Sequence, residues 1–257
     1  MKPSTFKGEV CRKNSNRILV RKKSEVNRNS HSIPTMLSKE ILPMAEEDCI
    51  SFPALGEPAP DFEAETTQGP IKLSDLKGKW VILFSHPSDF TPVCTTEFMA
   101  FAEIHDELAA LNVMLIGLSV DSISAHLAWV RNIKEKMNVT IPFPVIADLN
   151  MKVAKKYGMI HQAQNSTAAV RCVFFIDDKG IMRAMIYYPL QNGRFMPEIT
   201  RLVKALQTTD KYKVSTPANW QPGDKVVVAP PKTAAEMDKR LDEGYECKDW
   251  YLCFKKV

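Results

Sequence analysis

One stretch limits the folds open to this chain: Trp80-Val-Ile-Leu-Phe-Ser-His-Pro-Ser-Asp-Phe-Thr-Pro-Val-Cys-Thr-Thr-Glu97. Val81 to Phe84 is a short apolar run with strand character. Pro87 and Pro92, with Ser88, Asp89 and Thr91 between them, break that run into a turn. Beyond the turn Phe101, Ile104, Leu108 and Leu111 recur at i, i+3, i+7 and i+10, which predicts a helix with one apolar face. Cys94 falls where strand has given way to helix, in or beside the first turn.

That position bears on chemistry. A thiol is nucleophilic as thiolate, and an unperturbed cysteine, with a pKa of about 8.5, is mostly protonated at neutral pH. Unpaired backbone N–H groups and the dipole at a helix N-terminus favour the anion. Thr91 can offer its hydroxyl to the sulfur or to a substrate oxygen, and Glu97 suits a first turn and can orient a nearby cation. The competing reading of Cys94 is a small buried hydrophobe.

Pro87-x-x-x-Thr91-x-x-Cys94 matches the signature of the peroxiredoxins, and His86 to Glu97 as a whole resembles their one-cysteine-type subfamily. The similarity covers about residues 50 to 257 and includes Pro58-Ala-Pro-Asp-Phe62, Val170-Arg171 and Gly193-Arg194-Phe195.

Length and composition fit one large domain or a domain with an appendage: 257 residues, 45% hydrophobic and 25% charged. No apolar run approaches the ~18 residues of a membrane-spanning helix, so no membrane partner is expected. The net charge of +4 is uneven, because residues 1–39 hold ten Lys/Arg against two Glu. The remainder is mildly acidic and carries no nucleic-acid footprint. Six cysteines, Cys11, Cys49, Cys94, Cys172, Cys247 and Cys253, are too sparse for a disulfide-stapled secreted domain. A reducing compartment such as the cytoplasm fits better. No Cys-x-x-Cys or His-x-x-x-His spacing is present, so no metal site is expected.

Taken in order, residues 1–47 are basic, serine-rich and without apolar periodicity, and read as a disordered extension. A targeting segment, an extension upstream of a start at Met44, and a nucleic-acid-binding arm are the three explanations open for it. The globular part begins near Ile50. Val113–Val120 and Pro142–Ala147 are strand candidates, separated by a helix capped at Asp121-Ser122 and running to about Lys136. A short helix from Asn150 to Tyr157 stops at Gly158. Cys172–Asp177 and Ile181–Tyr188 form a hairpin around Asp178-Lys-Gly180, and Met196–Leu206 is a closing amphipathic helix. This order is α/β. Joined to the resemblance, it implies a thioredoxin-like fold with a mixed central sheet over residues 48–208, plus a small C-terminal domain over residues 209–257. The latter is read as largely irregular and as a dimerisation and resolving-cysteine domain.

The resemblance implies a thiol peroxidase reducing hydrogen peroxide and organic hydroperoxides without a cofactor. Cys94 attacks the peroxide, Arg171 supplies the cation, Thr91 donates a hydrogen bond and Pro87 shields the pocket. Arg194 either backs up Glu97 or caps a loop. His86 either pairs with sulfur or substrate or is structural, and Cys172 is an inert core thiol. Arg171 on its own reads equally as a surface ion-pair residue. Cys247 and Cys253 resemble the resolving cysteines of the thioredoxin-peroxidase branch, with Cys253 the first candidate and Cys247 the second, reached across a subunit boundary. The resemblance also implies a homodimer assembling into a ring (a decamer) and recycling by a thioredoxin-like dithiol. The alternatives are a one-cysteine cycle closed by an external thiol such as glutathione, and a holdase chaperone role as a secondary function. A disulfide reductase is disfavoured because Glu97 stands where its second cysteine would be. A cysteine hydrolase is disfavoured because His86 has no evident orienting partner in the sequence. The phospholipase serine of some one-cysteine relatives is replaced by Lys79 in Lys77-Gly-Lys-Trp-Val81.

Overall fold

A computed structural model describes residues 52–257. The extension 1–47, Met44, Ile50 and Cys11 and Cys49 lie outside the described residues. The described residues open with an antiparallel pair, β1 (Glu63–Ala64) and β2 (Ile71–Lys72), and a 3-10 turn over Leu73–Leu76. Then come β3 (Trp80–Ser85), α1 (Pro92–Glu103), α2 (His105–Ala110), β4 (Val113–Ser119) and α3 (Ile123–Met137). After these follow β5 (Val145–Ala147), α4 (Lys152–Lys156), β6 (Arg171–Ile176), β7 (Met182–Tyr188) and α5 (Met196–Tyr212). The C-terminal part holds β8 (Val226–Val227), α6 (Ala234–Arg240), β9 (Glu246–Asp249) and β10 (Leu252–Lys255).

Five strands form the central sheet in the order β5-β4-β3-β6-β7. β3 pairs in parallel with β4 and antiparallel with β6, so the sheet is mixed. All six residues of β3 are buried because both faces of the sheet are covered, which is why its sequence is apolar without interruption. The pleat sorts those residues by parity. Val81 and Leu83 join Ile116, Phe174 and Tyr157 on one face, while Trp80, Ile82 and Phe84 face α1, α3 and α5 through Phe98, Trp129 and Val203 on the other. Gly117 of β4 permits that second layer to close. A Cβ there would stand 3.2 Å from Phe84 Cζ and 3.3 Å from Phe98 Cζ.

Local signals explain most boundaries. Ser122 Oγ accepts from Ala125 N–H at 3.2 Å, capping α3, and Asn138 ends it in the left-handed region. Gly180, at φ +83°, turns the β6–β7 hairpin while Asp177 Oδ1 accepts from the N–H groups of Lys179 and Ile181.

Three expectations change. The single helix across Phe101 and Leu111 is two, because the chain bends at Ile104 (φ −92°, ψ 0°). The bend keeps both Phe101 and Leu108 fully buried against the sheet. The closing helix runs on to Tyr212 rather than stopping at Leu206. Gln207 Nε2 donates to Leu111 O at 2.8 Å and Asp210 takes a two-pronged bond from Arg183 at 2.6 and 2.8 Å, so tertiary anchors extend a weakly helical sequence. The tail read as largely irregular holds a three-stranded antiparallel sheet, β8-β10-β9, and the short α6. Trp220, Val214 and Val226 of that segment are buried together with Ala205 of α5.

Candidate active site

The turn from β3 into α1 places Cys94 third in the helix. Pro92 occupies the first helical position, where its missing N–H costs no intrahelical bond. Thr91, extended at φ −106° and ψ 146°, precedes the helix. Its hydroxyl donates to Ser88 O at 2.9 Å, so its proton is directed at the loop and not at the sulfur. Pro87 and Ser88, both half-buried, lie in that loop.

Cys94 is fully buried and lies within the apolar layer of Phe84, Phe98 and Phe101. Among the described residues one polar group reaches it. Arg171, the first residue of β6, brings Nη1 to 3.3 Å from Sγ. Adjacent strands thus carry the thiol and the guanidinium, β3 through the turn and β6 directly. Arg171 is fixed twice more, donating from Nε to Leu190 O at 2.8 Å and from Nη1 to Glu97 Oε2 at 2.6 Å.

Glu97, one turn after Cys94, is the anchor for two arginines. Arg194 donates to it from Nη2 at 2.6 Å, from Nε at 2.8 Å and from its backbone N–H at 2.9 Å. Arg194 Nη1 also donates to Ser85 O and Cys172 O, and its guanidinium lies over the rings of Phe84 and Phe101. Burial alone would push the Glu97 carboxyl up. Arg194, and after it Arg171, outweigh burial and hold it below the ordinary carboxylate range. One buried carboxylate between two guanidiniums leaves a net positive charge next to the sulfur.

His86 is fully buried, and its Nε2 lies 2.9 Å from Asp89 Oδ1. Asp89 is thus the orienting partner that the sequence did not reveal. Its other oxygen lies 2.8 Å from Nδ1 of His126, also fully buried, from the first turn of α3. These three are the only grouping of metal-ligating residue types among the described residues, with ligand atoms within 4.8 Å of one another. The carboxylate, however, turns one oxygen to each ring at hydrogen-bond distance, which is the geometry of shared protons. Asp89 and His126 are the residues that sequence reasoning missed. The signal for Asp89 was its place in the turn; His126 carried none, because 37 positions separate the two.

Cys172 is buried in β6, and burial pushes its thiol up to about 12, so it stays protonated. Cys247 and Cys253 face each other across β9 and β10 and are joined as a disulfide, while Cys94 and Cys172 are free thiols. Cys253 is buried and Cys247 half-buried. The structure therefore brings together Cys94, Arg171, Glu97 and Arg194, and separately Cys247 with Cys253.

Comparison with known proteins agrees with this geometry. Residues 55–185 match the AhpC/TSA family and residues 205–244 match the C-terminal domain of 1-Cys peroxiredoxin. A peroxiredoxin of Aquifex aeolicus is 61% identical over 221 residues, covering 82% of this chain and all of that protein. Peroxiredoxin 2 of Caldanaerobacter subterraneus is 60% identical over 81% of this chain and 95% of its own length. Among solved structures, yeast mitochondrial 1-Cys peroxiredoxin aligns with a TM-score of 0.71 at 41% identity, over 79% of this chain and 99% of that one. Peroxiredoxin 6 of Arenicola marina aligns at 0.72 and 38% identity, over 79% and 97%. The mixed sheet is accordingly of thioredoxin-like, peroxiredoxin type. The chain belongs to the peroxiredoxin family, the thiol peroxidases, and carries the C-terminal domain of their one-cysteine type.

Proposed function

We propose that Cys94 is the peroxidatic cysteine and that Arg171 is the group that stabilises its reaction. The supporting observation is the 3.3 Å approach of Arg171 Nη1 to Sγ inside a water-poor layer. The thiolate attacks one oxygen of a hydroperoxide and the O–O bond breaks. The departing alkoxide or hydroxide takes a proton and leaves as alcohol or water, and Cys94 becomes a sulfenic acid. Charge moves from sulfur to the leaving oxygen in that step, and a fixed cation lowers its barrier. Glu97 and Arg194 hold Arg171 in place, and Pro87 and Thr91 shape the entrance. Hydrogen peroxide and organic hydroperoxides are the substrate class.

Cys253 resolves the sulfenic acid, releasing water and forming a Cys94–Cys253 disulfide. Cys247 then attacks Cys253, frees Cys94 and leaves the Cys247–Cys253 bond for a thioredoxin-like dithiol to reduce. The pairing of those two cysteines across β9 and β10 supports the last step. The segment 209–257 serves as the resolving and dimerisation domain. Exposed Phe90, Phe195, Trp250 and Tyr251 offer apolar surface to a second copy, the dimer being the unit of a ring. No described helix is long and apolar enough to cross a membrane, and a reducing compartment such as the cytoplasm suits the thiol cycle. A one-cysteine cycle is the second reading. With Cys247 and Cys253 closed on each other Cys94 stands free, and the yeast relative is described as resolved through glutathione/thioredoxin systems.

Peroxide turnover and mass spectrometry test this. Cys94→Ser removes turnover, and treated wild-type protein yields a Cys94–Cys253 peptide pair. Turnover surviving in Cys94→Ser refutes the assignment; a Cys94–glutathione adduct in place of the peptide pair selects the second reading.

A further inference from the structure

Beneath the Cys94 turn lies a buried charged group that the peroxide step does not use. His126 Nε2 is 3.1 Å from Ile146 O, and a carbonyl only accepts, so Nε2 carries a proton. His126 Nδ1 faces Asp89 Oδ2 at 2.8 Å. Burial opposes ionisation of Asp89, but the hydrogen bonds from His126 and His86 outweigh it and hold the carboxyl below its ordinary range. Both ring nitrogens of His126 thus face oxygens of other groups, Nε2 the Ile146 carbonyl and Nδ1 the Asp89 carboxylate. Burial holds His86 below the ordinary histidine range. It is neutral, donates from Nε2 to Asp89 Oδ1, and keeps a bare Nδ1 with no hydrogen-bond partner.

The same group grips the loop ahead of the reactive helix. Asp89 N–H donates to Asp121 Oδ2 at 3.0 Å, and Ser119 Oγ donates to that oxygen at 2.7 Å. Phe90, the next residue, has φ 54°, a conformation that a bulky side chain holds only when its surroundings impose it. Trp129, on the same face of α3 as His126, donates from Nε1 to Thr95 Oγ1 at 3.3 Å. Thr95 in turn donates to Thr91 O at 2.8 Å. One face of α3 thus holds the reactive turn at both ends, at Asp89 before it and at Thr95 after Cys94.

We propose that Asp89 and His126 are positioning residues for peroxide reduction: a buried histidine–carboxylate pair that fixes the 86–92 loop and the tautomer of His86. This rests on Cys94 being the peroxidatic residue. The groups facing the pair are His86 from the loop and Asp121 from the connection between β4 and α3; the Ile146 carbonyl closes the β5 side.

Amide substitutions separate the contacts. His126→Asn puts an N–H where Nδ1 stood and keeps the bond to Asp89 with a group that does not titrate. His126→Gln keeps the donor toward Ile146 O and leaves Asp89 Oδ2 unpaired. The full chain is mixed with hydrogen peroxide, and Cys94 sulfenic acid is trapped with dimedone and timed by mass spectrometry between pH 3 and 8. His126→Gln slows trapping by about tenfold or more, as expected for a buried acceptor left unpaired. His126→Asn recovers to within about threefold at pH 8. Its acid limb lies about one unit above that of wild type, because Asp89 loses the electrostatic share of His126 in holding it down. Equal rates in wild type and His126→Gln, or an unshifted limb in His126→Asn, overturn the proposal. Should both variants fail to fold, Asp89→Asn decides. Its amide donates to His126 and accepts from His86, so the contacts persist without a titrating carboxyl and the limb set by the pair vanishes; an unchanged limb refutes it. Absence in wild type of both a Cys94 sulfenic acid and any mixed or intrachain disulfide of Cys94 instead defeats the peroxidatic assignment, and this inference with it.

Discussion

Replacing Glu97 by Gln tests the electrostatic core of the site with one atom changed. Glu97 Oε2 receives Arg171 Nη1 and Arg194 Nη2, both at 2.6 Å, and Oε1 receives Arg194 Nε and its backbone N–H. Each oxygen therefore serves two donors. A carboxamide keeps one oxygen and turns an NH2 toward the other pair, so two donor–acceptor contacts become donor–donor contacts. Two buried guanidiniums also lose their shared counter-charge. Breaking a buried pair from one side costs about 3–5 kcal/mol, a large part of a typical domain stability of about 5–15 kcal/mol. Urea unfolding at pH 7 measures this. With m near the top of its usual range of ~1–3 kcal/mol/M, the midpoint falls by about 1–2 M. The pH dependence carries a second signature. The folded Glu97 carboxyl lies below its ordinary 4.5, so its contribution is complete above that pH and is lost as the pH falls toward the folded value. The gap between wild type and Glu97→Gln must therefore narrow in acid. A midpoint shift below about 0.3 M at pH 7, or a gap that widens in acid, refutes the reasoning.

Arg171→Lys should slow peroxide reduction by about a hundredfold, measured by stopped flow, the loss expected when one preorganised donor is removed. A single ammonium cannot serve Cys94, Glu97 and Leu190 O as the planar guanidinium does. Gly117→Ala should lower stability by about 1–3 kcal/mol in the same urea titration, because the new methyl group meets Phe84 and Phe98 at 3.2 and 3.3 Å. A neutral result would mean that the two rings yield freely.

What the sequence revealed and what it hid divide along a physical line. The apolar run of β3, the proline-bounded turn and the start of α1 are local patterns, and each was readable from spacing alone. Arg171 and Arg194 were placed by resemblance, since nothing in their neighbourhood distinguishes a buried cation from a surface one. The bend at Ile104 was hidden because the apolar periodicity runs straight through it, and the sheet, not the helix, decides where it folds. The last turns of α5 depend on Arg183 and Leu111, far away in the chain. His126 looked like any helical histidine until Asp89 and Ile146 closed around it. The Cys247–Cys253 bond follows from the register of β9 on β10, in a segment whose strands carry no alternating pattern.

The two halves of the sulfur–guanidinium contact are mounted differently. Arg171 begins a strand stitched on both sides into the middle of the sheet, and its side chain is tied to Leu190 O and Glu97 as well. Cys94 sits in the opening turn of a helix, where few backbone bonds oppose unwinding. In the cycle proposed for Cys94, travel of the oxidised sulfur to a distant thiol therefore falls to the helix end. On that reading the arginine stays behind as a fixed berth, and the turn winds back onto it to reset the site.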